Sequence, residues 1–299
     1  MTIMELYSKW YAGNMIIFPG LLGKGNVFFV DPTNGDDDNS GANALNAKAS
    51  MQAAIDLCVD WNGDRIVRMK GTETVTEPVL FNKRGITVAA QELTSPYNGG
   101  EAFVTYGSHT DGPAAFITEP CRLFGLGFCG SEALGASVEI DCEEAGAWAG
   151  GFNLLESCRF THWGIAKAHA LIIRGTSDNV IRGCMFDGLW TGYGESAIGL
   201  EDSGAQGVWN LVLEDNRFYS IGVGQYCIQL AAGTHFYQGL VLGNKNIGSG
   251  LFFAAAGEAG TAVFYDNYTG HATNATSYDD TVAALTILGY GFCGNHYSE

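Results

Sequence analysis

One pattern of apolar and polar positions recurs along most of the chain. An apolar residue is followed three positions later by a small or polar residue, and five positions later by a second apolar residue. The copies are Leu123/Leu126/Phe128, Leu155/Cys158/Phe160, Ile181/Cys184/Phe186, Leu213/Asn216/Phe218, Leu242/Lys245/Ile247 and Ile287/Tyr290/Phe292. The first five follow one another at intervals of about 30 residues, a spacing typical of folds built from stacked repeats.

The spacing within each copy predicts a bent pair of short strands. Side chains alternate between the two faces of a strand, so positions three apart share a face only if the backbone turns between them. Arg182-Gly183 and Asp215-Asn216 are residues that favour such turns. One turn of a coil cannot bury its own apolar residues, whereas stacked turns can. Residues 100–299 contain no helical stretch of ten or more residues uninterrupted by glycine, so the pattern favours a parallel coil of strands over a helical solenoid.

Residues 1–26 match no copy of the pattern, although they are rich in Trp, Tyr, Ile and Phe. An apolar leader outside a coil needs a surface on which to pack. Two interpretations are open: the segment folds back over the first turn of the coil, or it is an arm that docks on a partner protein or a sister subunit.

The next segment has the signals of a coil's first turn. Four apolar residues share one face of a predicted helix at 49–59, and we expect this helix, about 47–60 with its flanks, to cover the open end of the coil. These residues are Met51, Ile55, Cys58 and Val59. The same stretch predicts strands at 27–30, 65–69 and 85–89, and a loop at 31–41.

Composition narrows the class of protein. The chain has 299 residues, of which 46% are hydrophobic and 16% charged, enough for one elongated domain at 27–299 with a large core. Its 42 glycines suit many tight corners. The net charge of −17, without a basic cluster, argues against a nucleic-acid partner and against an anionic polymer such as polygalacturonate.

The targeting signals and cysteines indicate where the chain folds. The first 30 residues lack a basic region followed by an unbroken apolar run, and no apolar run is long enough for a membrane helix, so we expect synthesis in a cytoplasm and no membrane partner. In that setting the eight cysteines are expected to be thiols. Cys158, Cys184 and Asn216 hold the same place in successive copies, which predicts a stack of small inward residues.

Five segments carry a resemblance to a known family: Phe29-Val30-Asp31-Pro32-Thr33-Asn34-Gly35-Asp36, Asn39-Ser40-Gly41, Met51-Gln52-Ala53-Ala54-Ile55-Asp56, Gly63-Asp64-Arg65-Ile66-Val67 and Gly85-Ile86-Thr87-Val88. In this order they resemble the opening of right-handed parallel β-helix proteins of the pectate-lyase-like superfamily, an opening frequent in bacteriophage tailspikes and other virion proteins. The resemblance implies an all-β fold: a right-handed single-stranded parallel β-helix with a short N-terminal covering helix and an N-terminal arm. The chain departs from the family at 47–50 and 71–73, and it lacks the Arg-x-Pro-x-x-Arg segment of pectate lyases.

Two stretches are candidate sites. The run 36–41 has oxygen ligands at the first positions of an EF-hand loop, but Ala47 replaces the glutamate at position 12, which favours a solvated turn over a calcium site. A glycan-cleaving site needs two carboxylates on one face with aromatic platforms. The candidates are Trp190, Tyr193, Glu195, Glu201 and Asp202, with Tyr219, His235 and Tyr237 one turn later. The simpler interpretation is that these carboxylates decorate outward corners.

Other chemistry has little support. Residues Glu156, Arg182 and Glu214 follow the first apolar positions of successive copies, and their alternating charges predict surface ion pairs. The histidines have no zinc-binding spacing, and the chain has neither a nucleophile elbow nor a P-loop. We therefore assign no catalytic residue, metal ligand or cofactor from the sequence.

The leading hypothesis is a non-enzymatic structural protein on the surface of a phage particle: a capsid decoration or spike subunit, or a short tailspike. It is expected to be a homotrimer that docks on capsid or tail proteins through residues 1–26, with a host surface glycan as a possible partner. The alternatives are a tailspike-type depolymerase that hydrolyses bacterial surface polysaccharide through Glu195, Glu201 or Asp202, and a carbohydrate-binding module.

Overall fold

A computed structural model describes the chain in segments. They are residues 11–12, 15–16, 25–91, 102–106, 113–130, 136–141, 151–162, 169–187, 196–203, 207–219, 221, 225–247, 251–255, 262–269 and 296–297. Within the first two segments, Tyr11–Ala12 and Met15–Ile16 pair as antiparallel strands. The other residues of the predicted docking arm, residues 1–26, lie outside the described residues, apart from Gly25 and Asn26.

The described chain winds through three parallel sheets in turn. Sheet 1 contains Val27–Val30, Arg65–Arg68, Ile86–Ala90, Cys121–Phe124, Leu154–Glu156, Val180–Arg182, Val212–Glu214, Leu240–Leu242 and Val263–Tyr265. Sheet 2 contains Gly71–Val75, Ala102–Tyr106, Gly127–Gly130, Arg159–His162, Met185–Asp187, Arg217–Tyr219, Lys245–Ile247, Tyr268–Thr269 and His296–Tyr297. Sheet 3 contains Val79–Phe81, Ala115–Ile117, Val138–Asp141, Leu171–Arg174, Ser196–Glu201, Tyr226–Leu230 and Leu251–Ala255. A further parallel pair joins Val208–Trp209 to Phe236–Tyr237. This is the predicted parallel coil of strands.

The core consists of columns of side chains that repeat from turn to turn. Leu123, Leu155, Ile181 and Leu213 lie in register in sheet 1 and are fully buried. In sheet 2 the rings of Phe128, Phe160, Phe186 and Phe218 stack face to face, with centroids 5.9, 5.0 and 5.2 Å apart. Each turn covers the apolar residues of its neighbour, so the first four copies of the pattern are confirmed as turns of the coil.

The fifth copy lies one residue earlier than the pattern predicts. Leu213 pairs with Val241, and Phe218 pairs with Asn246, so the inward positions of this turn are Val241, Asn244 and Asn246. The residues that the pattern selects point outward: Leu242 is partly exposed, Lys245 is exposed and Ile247 is 50% exposed. In the next turn Phe264 and Asn267 are the buried residues, and Thr269 pairs with Asn246 along the backbone. The sixth copy, Ile287/Tyr290/Phe292, lies outside the described residues.

An amide ladder explains why the register moves. Asn244 Oδ1 accepts hydrogen bonds from the backbone N–H and side-chain amide of Asn216, both at 3.0 Å. Asn267 Oδ1 receives the same two bonds from Asn244, also at 3.0 Å. Stacked asparagines satisfy each other's buried polar groups only in register, so they favour this alignment over one that buries Leu242 and Ile247.

The bends between sheets 1 and 2 use one backbone conformation. Gly183 has φ +59° and Asp215 has φ +53°, at the two turns that the sequence singled out. Ser157 and Asp266 repeat the conformation at φ +55° and +53° in other turns of the coil. A single left-handed residue turns the backbone so that the side chains after it point to the opposite side. Residues three apart can then both point inward.

A short α-helix covers the first turn. It spans Met51–Asp56, shorter than the predicted 49–59, with Ser50 as its N-cap, and it packs on Val27–Val30, Arg65–Arg68 and Val79–Phe81. Three of the four predicted stripe residues are buried, but Val59 is 57% exposed. Val59 faces solvent because the helix ends before it, so the helical periodicity no longer applies there. Within the described segments, no helix is long and apolar enough to cross a membrane.

The cysteines of the described segments are free thiols. They are Cys58, Cys121, Cys129, Cys158, Cys184 and Cys227. Cys158 and Cys184 are buried at the positions that Asn216 and Asn244 occupy in later turns, as the sequence predicted for the first three of these residues. One inward column thus changes from thiols to amides along the coil.

Candidate functional site

Charged side chains gather on the outer face of sheet 3. In strand Val138–Asp141 the inward residues are Val138 and Ile140, so Glu139 and Asp141 point outward. Asp141 pairs in register with Arg174, and Arg174 pairs with Glu201 on the next strand. Period-two alternation thus places one arginine between carboxylates from both neighbouring turns.

The guanidinium of Arg174 joins this cluster. Its Nη2 and Nε lie 2.8 and 3.0 Å from Glu201 Oε2, and its Nη1 lies 2.9 Å from Asp141 Oδ2. Glu139 Oε2 is more distant, 3.6 Å from Nη1. These carboxylates raise the pKa of Arg174 although its own burial lowers it. Three carboxylates share one cation, so the cluster keeps a net negative charge when all are ionised.

Glu139, a further carboxyl group of the cluster, has a raised pKa. Burial raises its pKa from 4.5 to about 6; Asp141 and Glu201 act in the same direction, and Arg174 opposes them. Its side chain is only 13% exposed. A carboxyl group that keeps its proton near pH 6 has the acidity that a general acid needs.

His169 and Ser196 border the cluster without forming a nucleophilic pair. His169 Nδ1 lies 2.7 Å from Ser196 Oγ, while Nε2 lies 3.7 Å from Glu201 Oε1. Ser196 donates its only hydroxyl hydrogen to the Ile198 carbonyl oxygen, 2.8 Å away, so it accepts from His169. Ser196 is also fully buried, which makes it a support for the ring rather than an accessible nucleophile.

Asp202 belongs to a different surface from Glu201. Asp202 Oδ1 accepts the backbone N–H of His235 at 2.9 Å, and its Oδ2 lies 3.1 Å from His235 Nδ1. The His235 ring stacks on Tyr237, and Tyr237 packs on Trp209 with ring centroids 4.5 Å apart. The two adjacent carboxylates therefore do not form one catalytic pair.

The other sequence candidates have separate places. Tyr219 lies on the outer face of sheet 2, in register with Ile247, away from the Arg174 cluster. Trp190, Tyr193 and Glu195 lie outside the described residues. Sequence reasoning missed Glu139, Asp141 and Arg174. The turns differ in length, so the sequence alone does not show which outward residues of neighbouring turns lie next to each other.

The acidic loop acts as a structural turn. Asp37 Oδ1 accepts the backbone N–H groups of Ala49 and Ser50 at 2.9 and 2.8 Å, and Asp36 Oδ1 accepts that of Asp38 at 2.9 Å. Across the described residues, no group of three or more His, Cys, Asp or Glu side chains is arranged to hold a metal ion.

The predicted ion-pair column lies on sheet 1. Glu156, Arg182 and Glu214 occupy matching positions on successive strands, and Arg182 Nη2 is 2.8 Å from Glu156 Oε2. The two side chains of this pair are 44% and 31% exposed, so the contact contributes less than about 1 kcal/mol.

The comparisons with known proteins concern the fold. No protein-family model matches the chain, and no curated protein matches its sequence. A solved rhamnogalacturonan lyase is similar with a TM-score of 0.50 at 13% identity, over 83% of this chain and 69% of the lyase chain. The chain has a right-handed parallel β-helix fold. A crystal structure of pectate lyase Pel9A gives a TM-score of 0.39 at 16% identity, over 84% of this chain and 71% of that one.

This right-handed parallel β-helix carries its charged cluster on the outer face of one sheet. At identities this low, the similarity concerns the backbone architecture and not the side chains. Any activity of the β-helix must therefore be argued from its own side chains, among which the Arg174 cluster is the candidate within the described residues.

Proposed function

We propose that the chain is a non-enzymatic structural protein of a bacteriophage particle, either a capsid decoration or spike subunit or a short tailspike. It is made in the host cytoplasm, assembles as a homotrimer and is displayed on the particle surface. Residues 1–26 contain the segment that docks on capsid or tail proteins. The fold is the one implied by the virion-like opening at 27–90, which supports this proposal.

The main support is the pairing of outward carboxylates with cations. Glu201 and Asp141 bind Arg174, Asp187 binds Arg159, Glu156 binds Arg182, Glu119 binds Arg84, and Asp202 contacts His235. Both described carboxylates that the enzyme hypothesis nominated, Glu201 and Asp202, are in this set. Each of these pairs joins residues of neighbouring turns, which suits a rigid rod.

Quantitative mass spectrometry of purified particles tests the proposal. Particles produced from the genome that encodes this chain should contain it in a fixed copy number divisible by three. A chain that is made during infection but absent from purified particles would contradict a structural role.

The docking segment can be tested separately. Asn26 donates its backbone N–H to Asp64 Oδ1 at 2.6 Å, and an added Cβ on Gly25 would lie 2.3 Å from the Gly63 backbone. Both residues therefore belong to the coil, and the deletion should end at residue 24. The truncated chain is expected to fold and to be lost from particles; normal incorporation would refute the docking role.

A polysaccharide depolymerase is the second candidate, favoured by the raised pKa of Glu139 beside Asp141 and Glu201. In this version Glu139 is the general acid and Glu201 the second carboxylate, whereas the sequence nominated Glu195, Glu201 or Asp202. The solved lyase of similar fold acts on a polysaccharide by its name, which is compatible with this candidate.

Release of reducing ends separates the two candidates. The substrate is capsule or lipopolysaccharide of the bacterium in which the particle grows. Cleavage by wild type that is lost in Glu139→Gln and Glu201→Gln, but kept in Glu119→Gln, would establish the enzyme. The last variant removes another arginine-paired carboxylate outside the cluster. Binding of the glycan without cleavage would instead favour a carbohydrate-binding module.

A further inference from the structure

The outer face of sheet 1 carries a row of apolar side chains. One residue from each of five successive strands points outward in register, and each is partly exposed. The row is Leu154, Val180, Val212, Leu240 and Val263. With strands about 4.8 Å apart, it runs for roughly 19 Å along the coil.

More exposed apolar groups extend this face. Phe152, two residues before Leu154, is 66% exposed, and Tyr265, two residues after Val263, is 49% exposed. Phe152 also has φ +60°, a left-handed conformation that costs a bulky residue about 1–2 kcal/mol. The same conformation recurs at the equivalent residues Asp178, Asn210 and Gln238, so it belongs to the bend. The exposed ring beside an apolar row is what indicates an interaction surface.

Polar residues flank the row with matched chemistry. Two positions before Val180 and Val212 lie Asp178 and Asn210; two positions after them lie Arg182 and Glu214. Asp178 and Asn210 both have positive φ, at +58° and +51°, and form the edge where the strands begin. These two turns therefore each present an acid or amide at the starting edge and its complement at the finishing edge. Within the chain, Asn210 Nδ2 donates to Asp178 Oδ1 at 3.0 Å and Arg182 binds Glu156.

We propose that this face, defined by the five-residue row and its two flanks, is where copies of this chain meet, with their coils side by side and parallel. In parallel copies related by a rotation axis along the coil, equivalent turns lie at the same height. The edge where the strands of one copy begin then meets the edge where the strands of the next copy end. Asp178 then lies beside Arg182 of the partner subunit, and Asn210 beside Glu214 of the partner subunit. The apolar row is buried between them.

This chemistry fits a protein surface better than a glycan. Valine and leucine side chains form no hydrogen bonds with a sugar. The same apolar row of a second copy, at the same height along the coil, can pack directly against them. The identification of the face rests on the homotrimer in the proposed function, but its own test uses the isolated chain and no particle.

Native mass spectrometry with a paired set of variants tests the face. Wild type at micromolar concentration should have the mass of three chains. Val180→Asp and Val212→Asp should shift it to one chain, because a carboxylate in the buried row has no cation opposite it. Ile247→Asp, the same change at an exposed apolar residue on sheet 2, should leave the assembly intact. Far-ultraviolet circular dichroism should show that all variants remain folded.

Three outcomes are decisive. A wild-type mass of one chain, or assembly unaffected by the two valine variants, would overturn the proposed face. A mass of two chains that the valine variants abolish would keep the face and refute the homotrimer.

A charge exchange tests the parallel arrangement. Asp178→Arg and Arg182→Asp should each raise the dissociation constant, on the order of tenfold, by placing like charges together. The double variant Asp178→Arg/Arg182→Asp should restore assembly. A double variant that dissociates as much as the two single changes combined would rule out parallel copies.

Discussion

At the residue scale, the interior is stabilised by polar groups that satisfy each other along the coil. Asn244 accepts two hydrogen bonds from Asn216 and donates to the Leu213 carbonyl oxygen at 2.8 Å. Asn216 donates in the same way to the Ile181 carbonyl oxygen at 2.9 Å. A defect in one asparagine therefore leaves unsatisfied groups in the neighbouring turn as well.

Replacing Asn244 with alanine should lower the free energy of unfolding by about 2–3 kcal/mol, because buried backbone groups of the adjacent turn lose their partners. Lys245→Ala, one residue later and exposed, should change it by less than about 0.5 kcal/mol. Urea denaturation followed by circular dichroism measures both. Equal effects of the two variants would contradict the buried ladder.

Glu139 should make stability depend on pH. Its folded-state pKa of about 6 exceeds the ordinary 4.5, so the favourable contribution of its protonated form is present below about pH 4.5 and lost as the pH rises through 6. Glu139→Gln does not titrate. The variant should therefore gain about 2 kcal/mol in free energy of unfolding, relative to wild type, between pH 4 and pH 7. A constant difference over that range, measured by urea denaturation, would refute the raised pKa.

The sequence predicts inward positions well and polar partners poorly. The place shared by Cys158, Cys184 and Asn216 follows from periodicity alone. The buried pair of Arg68 and Glu73, 3.4 Å apart at the covered end, does not, because both residue types are usually exposed. Burial lowers the pKa of Arg68 and raises that of Glu73, and the charge of each partner opposes the shift of the other.

At the element scale, six of the described bends between sheets 1 and 2 each contain a left-handed residue. They are Gly125, Ser157, Gly183, Asp215, Gly243 and Asp266. Glycine adopts this conformation without strain, whereas serine and aspartate adopt it at a cost in free energy. A Cβ on Gly183 would meet only Ser157 Oγ, at 3.9 Å, so space does not limit the position.

Gly183→Ala should accordingly lower the free energy of unfolding by about 1 kcal/mol through backbone strain alone. Ser157→Gly, at φ +55° in the preceding turn, should leave stability unchanged or raise it slightly. Thermal unfolding of the two variants provides the comparison. A stabilising effect of alanine at 183 would show that the bend is not left-handed.

Element boundaries show where periodicity fails. The helix ends at Asp56, so Val59 leaves the apolar stripe, although its spacing fits. The slip at Leu242 has a related cause: Leu240, Val241 and Leu242 are all apolar, so hydrophobicity alone does not choose which of them faces inward. The asparagine at 244 decides, through hydrogen bonds that become visible only once the turns are stacked.

At the scale of the whole molecule, the outward faces of the sheets differ in character. Sheet 3 carries the Arg174 cluster, and sheet 1 carries the apolar row with its charged flanks. The sequence nominated Glu201 but missed Glu139 and Asp141, because turns of different length bring distant residues to one face. The fold was therefore predictable from the repeats, while the site required the register between them.

Disulfide trapping tests that register most directly. Arg217 and Lys245 point outward and are paired across neighbouring strands of sheet 2, so the double variant Arg217→Cys/Lys245→Cys should close a disulfide under mild oxidation. Arg217→Cys/Asn246→Cys should not, because Asn246 faces the core. Peptide mapping without reduction identifies the bond. Efficient closure of the second pair and not the first would contradict the stacked turns on which the fold and both proposed surfaces depend.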